Sequence, residues 1–264
     1  MIKNWIITGD THGQNNVRLK NIFGNPANKD LIPEETAIII LGDVAFNYCL
    51  DNRDYWTKKK ASDFGAYIYC VRGNHEERPE NVKMLKLVYD EAVKGEVYME
   101  DKFPLIRYFK DGEIYEINGY KTLVIGGAYS VDKHYRLRSN MRWFKDEQLT
   151  QEEMENIDFK MVGESVDLVL SHTCPLSWQP TDMFLATINQ TQVDNTMEKW
   201  LDSLKDHFTW GIWCFGHYHI DRIQKERVEI FYTDHENLED LMKRWKDYDN
   251  TGDIDWWLSV GENK

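Results

Sequence analysis

The sequence predicts an α/β fold in which two packed mixed β-sheets are flanked by helices. Three observations carry that prediction. Short runs rich in Ile, Val, Tyr and Trp each end in a cluster of Gly, Asp, Asn or His. Helix-length segments lie between several of these runs. A denser series of strand-like runs, over residues 105–130, follows the β-α-β opening. Runs of this kind suit buried strands, and the mixture suits packed sheets with helices outside them.

The elements follow in order. Trp5-Ile6-Ile7-Thr8 is the first strand and ends at Gly9-Asp10-Thr11-His12. Residues 37–41 form the second and end at Gly42-Asp43. Residues 54–64 have helix length, and residues 66–71 then run to Gly73-Asn74-His75-Glu76. Residues 79–94 are read as a helix, because Pro79 suits a first helical position. Residues 105–109, 113–117 and 120–125 are read as an antiparallel meander, with Lys110-Asp111-Gly112 and Asn118-Gly119 between the runs. Asn-Gly between apolar runs is a strong signal for a two-residue hairpin.

Residues 167–170 end at Ser171-His172. Within residues 192–208, Val193, Met197, Trp200, Leu201, Leu204 and Phe208 recur at helical spacing, the pattern of a core-facing stripe. Residues 211–215 end at Gly216-His217-Tyr218-His219, and residues 228–232 form the last strand-like run. Residues 236–264 are acidic, contain Trp245, Trp256 and Trp257, and are expected to form a helix and tail that pack back on the core. With no internal repeat or linker, residues 1–264 are expected to be a single domain with its motif-bearing core at about 1–235.

Composition narrows the function. Hydrophobic residues make up 42% and charged residues 29% of 264, as in ordinary folded domains. The net charge of -13 argues against a broad nucleic-acid-binding face, which normally shows a basic excess. No apolar run approaches the ~20 residues that span a bilayer, and the N-terminus lacks signal-peptide regions. A cytoplasmic protein with no membrane partner is expected. Cys49, Cys70, Cys174 and Cys214 form no C-x-x-C pair and are expected as small thiols rather than a zinc knuckle.

The five strand-end clusters share one grammar. In open α/β sheets, ligands bind at the carboxyl ends of the strands, and Gly lets backbone approach a ligand closely. Singly each cluster is weak, since a lone Asp after a strand is usually a turn or a cap. Together they place Asp, Asn and His at five strand ends. Imidazole and carboxylate are the usual ligands of Mn, Fe, Zn and Ni, and a mixed N/O set without thiolate suits a catalytic site.

Asp10-x-His12, Gly42-Asp43, Gly73-Asn74-His75-Glu76, His172 and Gly216-His217-x-His219 resemble the ordered motif set of the calcineurin-like metallophosphoesterases. The resemblance implies the family's four-layer α/β/β/α sandwich. It also implies two divalent metal ions, Mn first with Fe, Zn or Ni as alternatives. Asp10, His12 and His219 would hold one ion, Asn74, His172 and His217 the other, and Asp43 would bridge them. His75 would be the catalytic residue, protonating the leaving oxygen or stabilising phosphoryl charge. The implied reaction is hydrolysis of phosphate mono- or diesters by metal-activated hydroxide attack.

Val44-Ala45-Phe46-Asn47 stands where the protein Ser/Thr phosphatase branch has Asp-Arg-Gly, which lowers the odds of a dedicated phosphoprotein phosphatase. Gly126-Gly127-Ala128-Tyr129-Ser130 and the residues after it are similar to a segment of bacterial and phage members of the superfamily, and loosely to lariat-debranching enzymes. His134, Arg136, Arg138 and Arg142 in this stretch are either a substrate-phosphate contact, with Arg136 named for it, or a solvated basic loop. Residues 173–190 form either a wall of the cleft or a connector. A small-molecule phosphoester is the expected partner. A nuclease is the alternative, and a metal-bearing scaffold without activity is the third reading.

Overall fold

A computed structural model describes residues 1–251 of the chain. Its elements run β1 (Asn4–Thr8), α1 (Asn15–Gly24), β2 (Thr36–Ile40), α2 (Asn52–Ser62), β3 (Tyr67–Cys70), β4 (Lys86–Asp90) and β5 (Gly95–Met99). They continue with β6 (Ile106–Phe109), β7 (Glu113–Ile117), β8 (Tyr120–Ile125), α3 (Lys133–Arg138), α4 (Gln151–Met161) and β9 (Ser165–Ser171). The last are α5 (Thr196–Leu204), β10 (Thr209–Phe215), β11 (Arg222–Lys225), β12 (Val228–Ile230), β13 (His235–Asn237) and α6 (Leu238–Thr251).

The strands form two mixed sheets, ordered β13-β1-β2-β3-β6-β5-β4 and β11-β12-β10-β9-β8-β7. Strands β1, β2, β3 and β6 run parallel in the first, and β8, β9, β10 and β12 run parallel in the second. Their apolar runs are continuous because both faces are covered. Ile7, Ile39 and Tyr69 face Val124, Leu170 and Cys214 between the sheets. Ile6, Ile38 and Ile68 pack outward under Leu19 and Ile22 of α1 and Ala61 of α2. Val169, Trp213 and Phe215 pack outward under Met154 of α4 and Met197 and Leu201 of α5. These are the four layers α/β/β/α.

Three local expectations need correction. Residues 79–94 are not a helix. Pro79 opens only a single 3-10 turn, Pro79–Asn81, and β4 then pairs antiparallel with β5. Val88, Tyr89, Val97 and Tyr98 are good strand formers, and they outweigh the proline signal. The meander is split as well. β6 pairs with β3 and β5 in the first sheet, while β7 and β8 form a hairpin in the second. The connection crosses between sheets because Asp111 is pinned, accepting from Arg72 Nε at 2.7 Å and from the Gly126 N–H at 2.7 Å. Finally, residue 232 does not end the strands, since β13 adds to β1 at the sheet edge.

The Asn118-Gly119 hairpin is present, with positive φ at both residues, as a two-residue turn of this type requires. The stripe of 192–208 is borne out in α5, where Met197, Leu201 and Leu204 are buried. Helix α6 packs back as expected, with Leu238, Leu241 and Trp245 in the core between the sheets. Trp256 and Trp257 lie outside the described residues. Cys70, Cys174 and Cys214 are buried free thiols, and Cys49 is free and half-buried. No helix among the described residues is long and apolar enough to cross a membrane.

Candidate metal centre

Parallel pairing aligns the carboxyl ends of β1, β2 and β3 with those of β9 and β10, and bonds between the sheets lock the two edges together. His172, after β9, bonds through Nδ1 to the Leu41 carbonyl at 2.7 Å, and the His217 N–H donates to Asp10 Oδ1 at 3.0 Å. The approach is too close for side chains at the glycines. A Cβ on Gly42 (φ 105°) would sit 2.0 Å from His172 Nδ1, and one on Gly73 would sit 2.0 Å from Asp43 Oδ1.

All seven expected ligand residues meet at this edge. Asp10, Asp43, Asn74 and His172 are buried, His217 is half-buried, and His12 and His219 are exposed. Among the described residues, Asp10, His12 and His219 offer ligand atoms within 4.8 Å of one another, and so do Asp10, Asp43 and His172. Asn74 Oδ1 lies 2.9 Å from His172 Nε2. The His217 ring packs edge-on against that of His172, with centroids 5.0 Å apart.

The donor atoms fit cations. Asp10 Oδ2 is buried without a hydrogen-bond partner, a costly state for a carboxylate oxygen unless a cation meets it. It lies 3.4 Å from His219 Nε2 and 3.7 Å from His12 Nε2, and those two nitrogens are 2.8 Å apart. Both ring nitrogens of His172 face oxygens, Nδ1 the Leu41 carbonyl and Nε2 Asn74 Oδ1, so a neutral ring that donates from Nδ1 leaves Nε2 to meet a cation. A backbone carbonyl that orients the far nitrogen is the usual support of a metal-binding His.

Electrostatics favour ionised Asp43 and neutral His217, while the Asp10 carboxylate beside His219 raises that ring. Burial opposes ionisation of Asp43, yet His172, His75, His12 and the His75 N–H hold it well below the usual carboxylate range. Burial, with His172 close by, pushes His217 down to about 3, so its ring is the neutral form that binds metal.

His75 stands beside this set rather than in it. Its N–H donates to Asp43 Oδ1 at 2.8 Å, and its Nε2 is 3.9 Å from Asp43 Oδ2. Burial lowers its basicity, Asp43 opposes that, and Arg136 adds to it. Arg136 is turned inward. Asp132 holds its Nε at 2.8 Å, its Nη1 donates to Tyr48 Oη at 3.2 Å, and its Nη2 lies 3.1 Å from His75 Nε2. His134, Arg138 and Arg142 are exposed. Arg138 bonds the His134 carbonyl and Arg142 the Cys49 carbonyl. Arg53 is exposed and paired with Asp51 at the start of α2. Residues 173–190 are anchored by Trp178, buried against Trp210 and Trp213.

Over residues 5–221 the sequence matches the family described as calcineurin-like phosphoesterase. The chain belongs to that family. This calcineurin-like phosphoesterase is therefore a hydrolase of phosphoester bonds, with Asp and His groups suited to divalent metal at its strand ends. No curated protein matches it. Among solved structures it is similar to a cold-active protein tyrosine phosphatase, at 15% identity, with 88% of this chain and 70% of that one covered and a TM-score of 0.32. It is similar also to the cold-active protein-tyrosine phosphatase of a psychrophile, Shewanella sp., at 15% identity, with 88% and 72% covered and a TM-score of 0.33. At such TM-scores the likeness carries no argument about substrate.

The sequence reading of this phosphoesterase missed polar groups that support the site. Tyr48 touches Arg136, and Glu147 receives hydrogen bonds from Ser130 and Trp143. Glu147 stands in an unremarkable polar stretch, Lys145-Asp146-Glu147-Gln148, with no local signal to find it by.

Proposed function

We propose that this phosphoesterase hydrolyses phosphate mono- or diesters of small molecules at a two-metal site. Asp10, His12 and His219 would hold one ion, Asn74, His172 and His217 the other, and Asp43 would be shared. The observation that carries this reading is the convergence of Asp, Asn and His side chains at one strand edge, above all the buried Asp10 Oδ2 that has no hydrogen-bond partner. The N/O donor set suits Mn²⁺, with Fe, Zn or Ni as alternatives of the same ligand preference. Bound divalent ions supply Lewis acidity toward phosphoryl oxygen and lower the pKa of water.

The chain's own residues do the rest. Asp43 fixes the His75 backbone through the N–H bond, which sets the ring at the mouth of the site. In this reading His75 gives a proton to the leaving oxygen, and Arg136, held by Asp132 and Tyr48, binds a phosphoryl oxygen alongside it. Arg136 brings one fixed positive charge to a protein of net charge -13, which suits a compact anionic substrate better than a long polyanion.

The test compares p-nitrophenyl phosphate, bis-p-nitrophenyl phosphate, an alkyl phosphate, and single-stranded DNA and RNA, all with Mn²⁺. Turnover of the small esters exceeding that of the strands supports the proposal, and the reverse order makes it a nuclease. His75→Ala should keep its metal and lose about 10²–10⁴-fold in rate on the alkyl ester. It should lose less on p-nitrophenyl esters, whose leaving group needs no proton. An equal loss on both would remove His75 from the acid role.

A further inference from the structure

One buried polar chain near the site has no role in the scheme above. Ser130 is 1% and Glu147 3% exposed. Glu147 receives three donors: the Ser130 N–H at 3.1 Å, Ser130 Oγ at 2.5 Å and Trp143 Nε1 at 2.7 Å. A hydroxyl has a single proton. Ser130 Oγ gives that proton to Glu147 and can then only accept, and it accepts from Asn74 Nδ2 at 2.9 Å. The two ends of a carboxamide differ, so pinning Nδ2 to Ser130 turns Oδ1 the other way. There it stands 2.9 Å from His172 Nε2. The far end of the chain is tied to the same strand end, since Arg72 Nη1 donates to the Glu147 carbonyl at 2.7 Å.

We propose that Ser130 and Glu147 are positioning residues that fix the Asn74 amide with its oxygen, not its nitrogen, toward the cation position shared with His172. The inference rests on the two-metal reading. A free amide would present a donor half the time, and a donor repels a cation. Ser130 and Glu147 also flank the segment that carries Arg136, so one hydrogen-bonded unit serves both the metal ligand and the substrate side of the site.

The test is calorimetric titration of the metal-stripped protein with Mn²⁺, with bound metal counted after desalting. Ser130→Ala should weaken one of two ions by about 10–100-fold, the usual effect of removing a group that orients a ligand, and leave the other unchanged. In an Asn74→Asp background either carboxylate oxygen can face the ion. There Ser130→Ala should shift the affinity less than about threefold, so the two changes are coupled. A merely structural role for Ser130 would weaken binding equally in both backgrounds, and that result overturns the proposal. So does wild-type affinity for both ions in Ser130→Ala. If Ser130→Ala does not fold, Glu147→Gln decides. Its NH₂ replaces one of the two acceptor oxygens and so opposes either the Ser130 N–H or the Ser130 Oγ and Trp143 Nε1 donors. It should weaken the same ion, and unchanged affinity overturns the proposal. A wild-type chain that takes up a single ion overturns the two-metal reading itself, and this inference with it.

Discussion

Four residues of the site, His12, Asp43, His217 and His219, hold left-handed backbone, with φ of 45°, 47°, 67° and 55°. Such conformations cost non-glycine residues about 1–3 kcal/mol each and persist where the surroundings over-determine them. Here the surroundings are the bonds between sheet edges and the glycines that let them close. Gly42→Ala should therefore cost about 3 kcal/mol or more, from positive φ and the clash with His172 together. Denaturant midpoints measure this, with Gly24→Ala as control, since a Cβ there meets nothing within 4 Å. Equal stability of the two variants would refute the close-approach argument. At this scale the sequence was legible where residue type carries chemistry. Asp10, His12, Asp43, Asn74, His172, His217 and His219 stand out in the sequence by kind and by their position after strands, and the fold brings them to one edge. Glu147 does not stand out, because its role comes only from distant Ser130 and Trp143, which no local pattern reports.

At the scale of elements, strands buried on both faces announced themselves as unbroken apolar runs. The outer strands β4 and β5 did not: β4 lies at the sheet edge and is mostly exposed, β5 beside it buries only Val97, and Pro79 signals a helix in their place. The change of sheet between β6 and β7 was hidden too, because a short polar connection looks the same whether the chain turns back or crosses over. Helix α6 was foreseen in outline, and its anchor is Trp245, 1% exposed and bonded through Nε1 to Glu229. Trp245→Ala should cost about 3–5 kcal/mol, or roughly 2–4 °C of Tm per kcal/mol for a chain of this size. Phe159→Ala, at an 88% exposed position of α4, should change Tm by about 2 °C or less. A Trp245→Ala variant as stable as Phe159→Ala would mean that α6 is not held by the core.

Across the whole molecule, the two sheets share a buried core and meet again at one edge, where the acceptors converge. Metal bound there would tie β1, β2 and β3 of one sheet to β9 and β10 of the other. Anything that binds only the folded chain stabilises it, by about 2.7 kcal/mol at 100 times its dissociation constant. Chelation should thus lower Tm by roughly 5–10 °C, Mn²⁺ should restore it, and Asp43→Asn should respond to neither. A wild-type Tm indifferent to chelator would separate the metal from the fold.

The most direct test of a two-metal phosphoesterase reads bound Mn²⁺ and p-nitrophenyl phosphate turnover in the same samples, as metal is returned to stripped protein. Two ions per chain, turnover that rises with the second ion, and loss of both in Asp43→Asn are expected. Full turnover at one ion per chain, or undiminished turnover in Asp43→Asn, would contradict the two-metal reading.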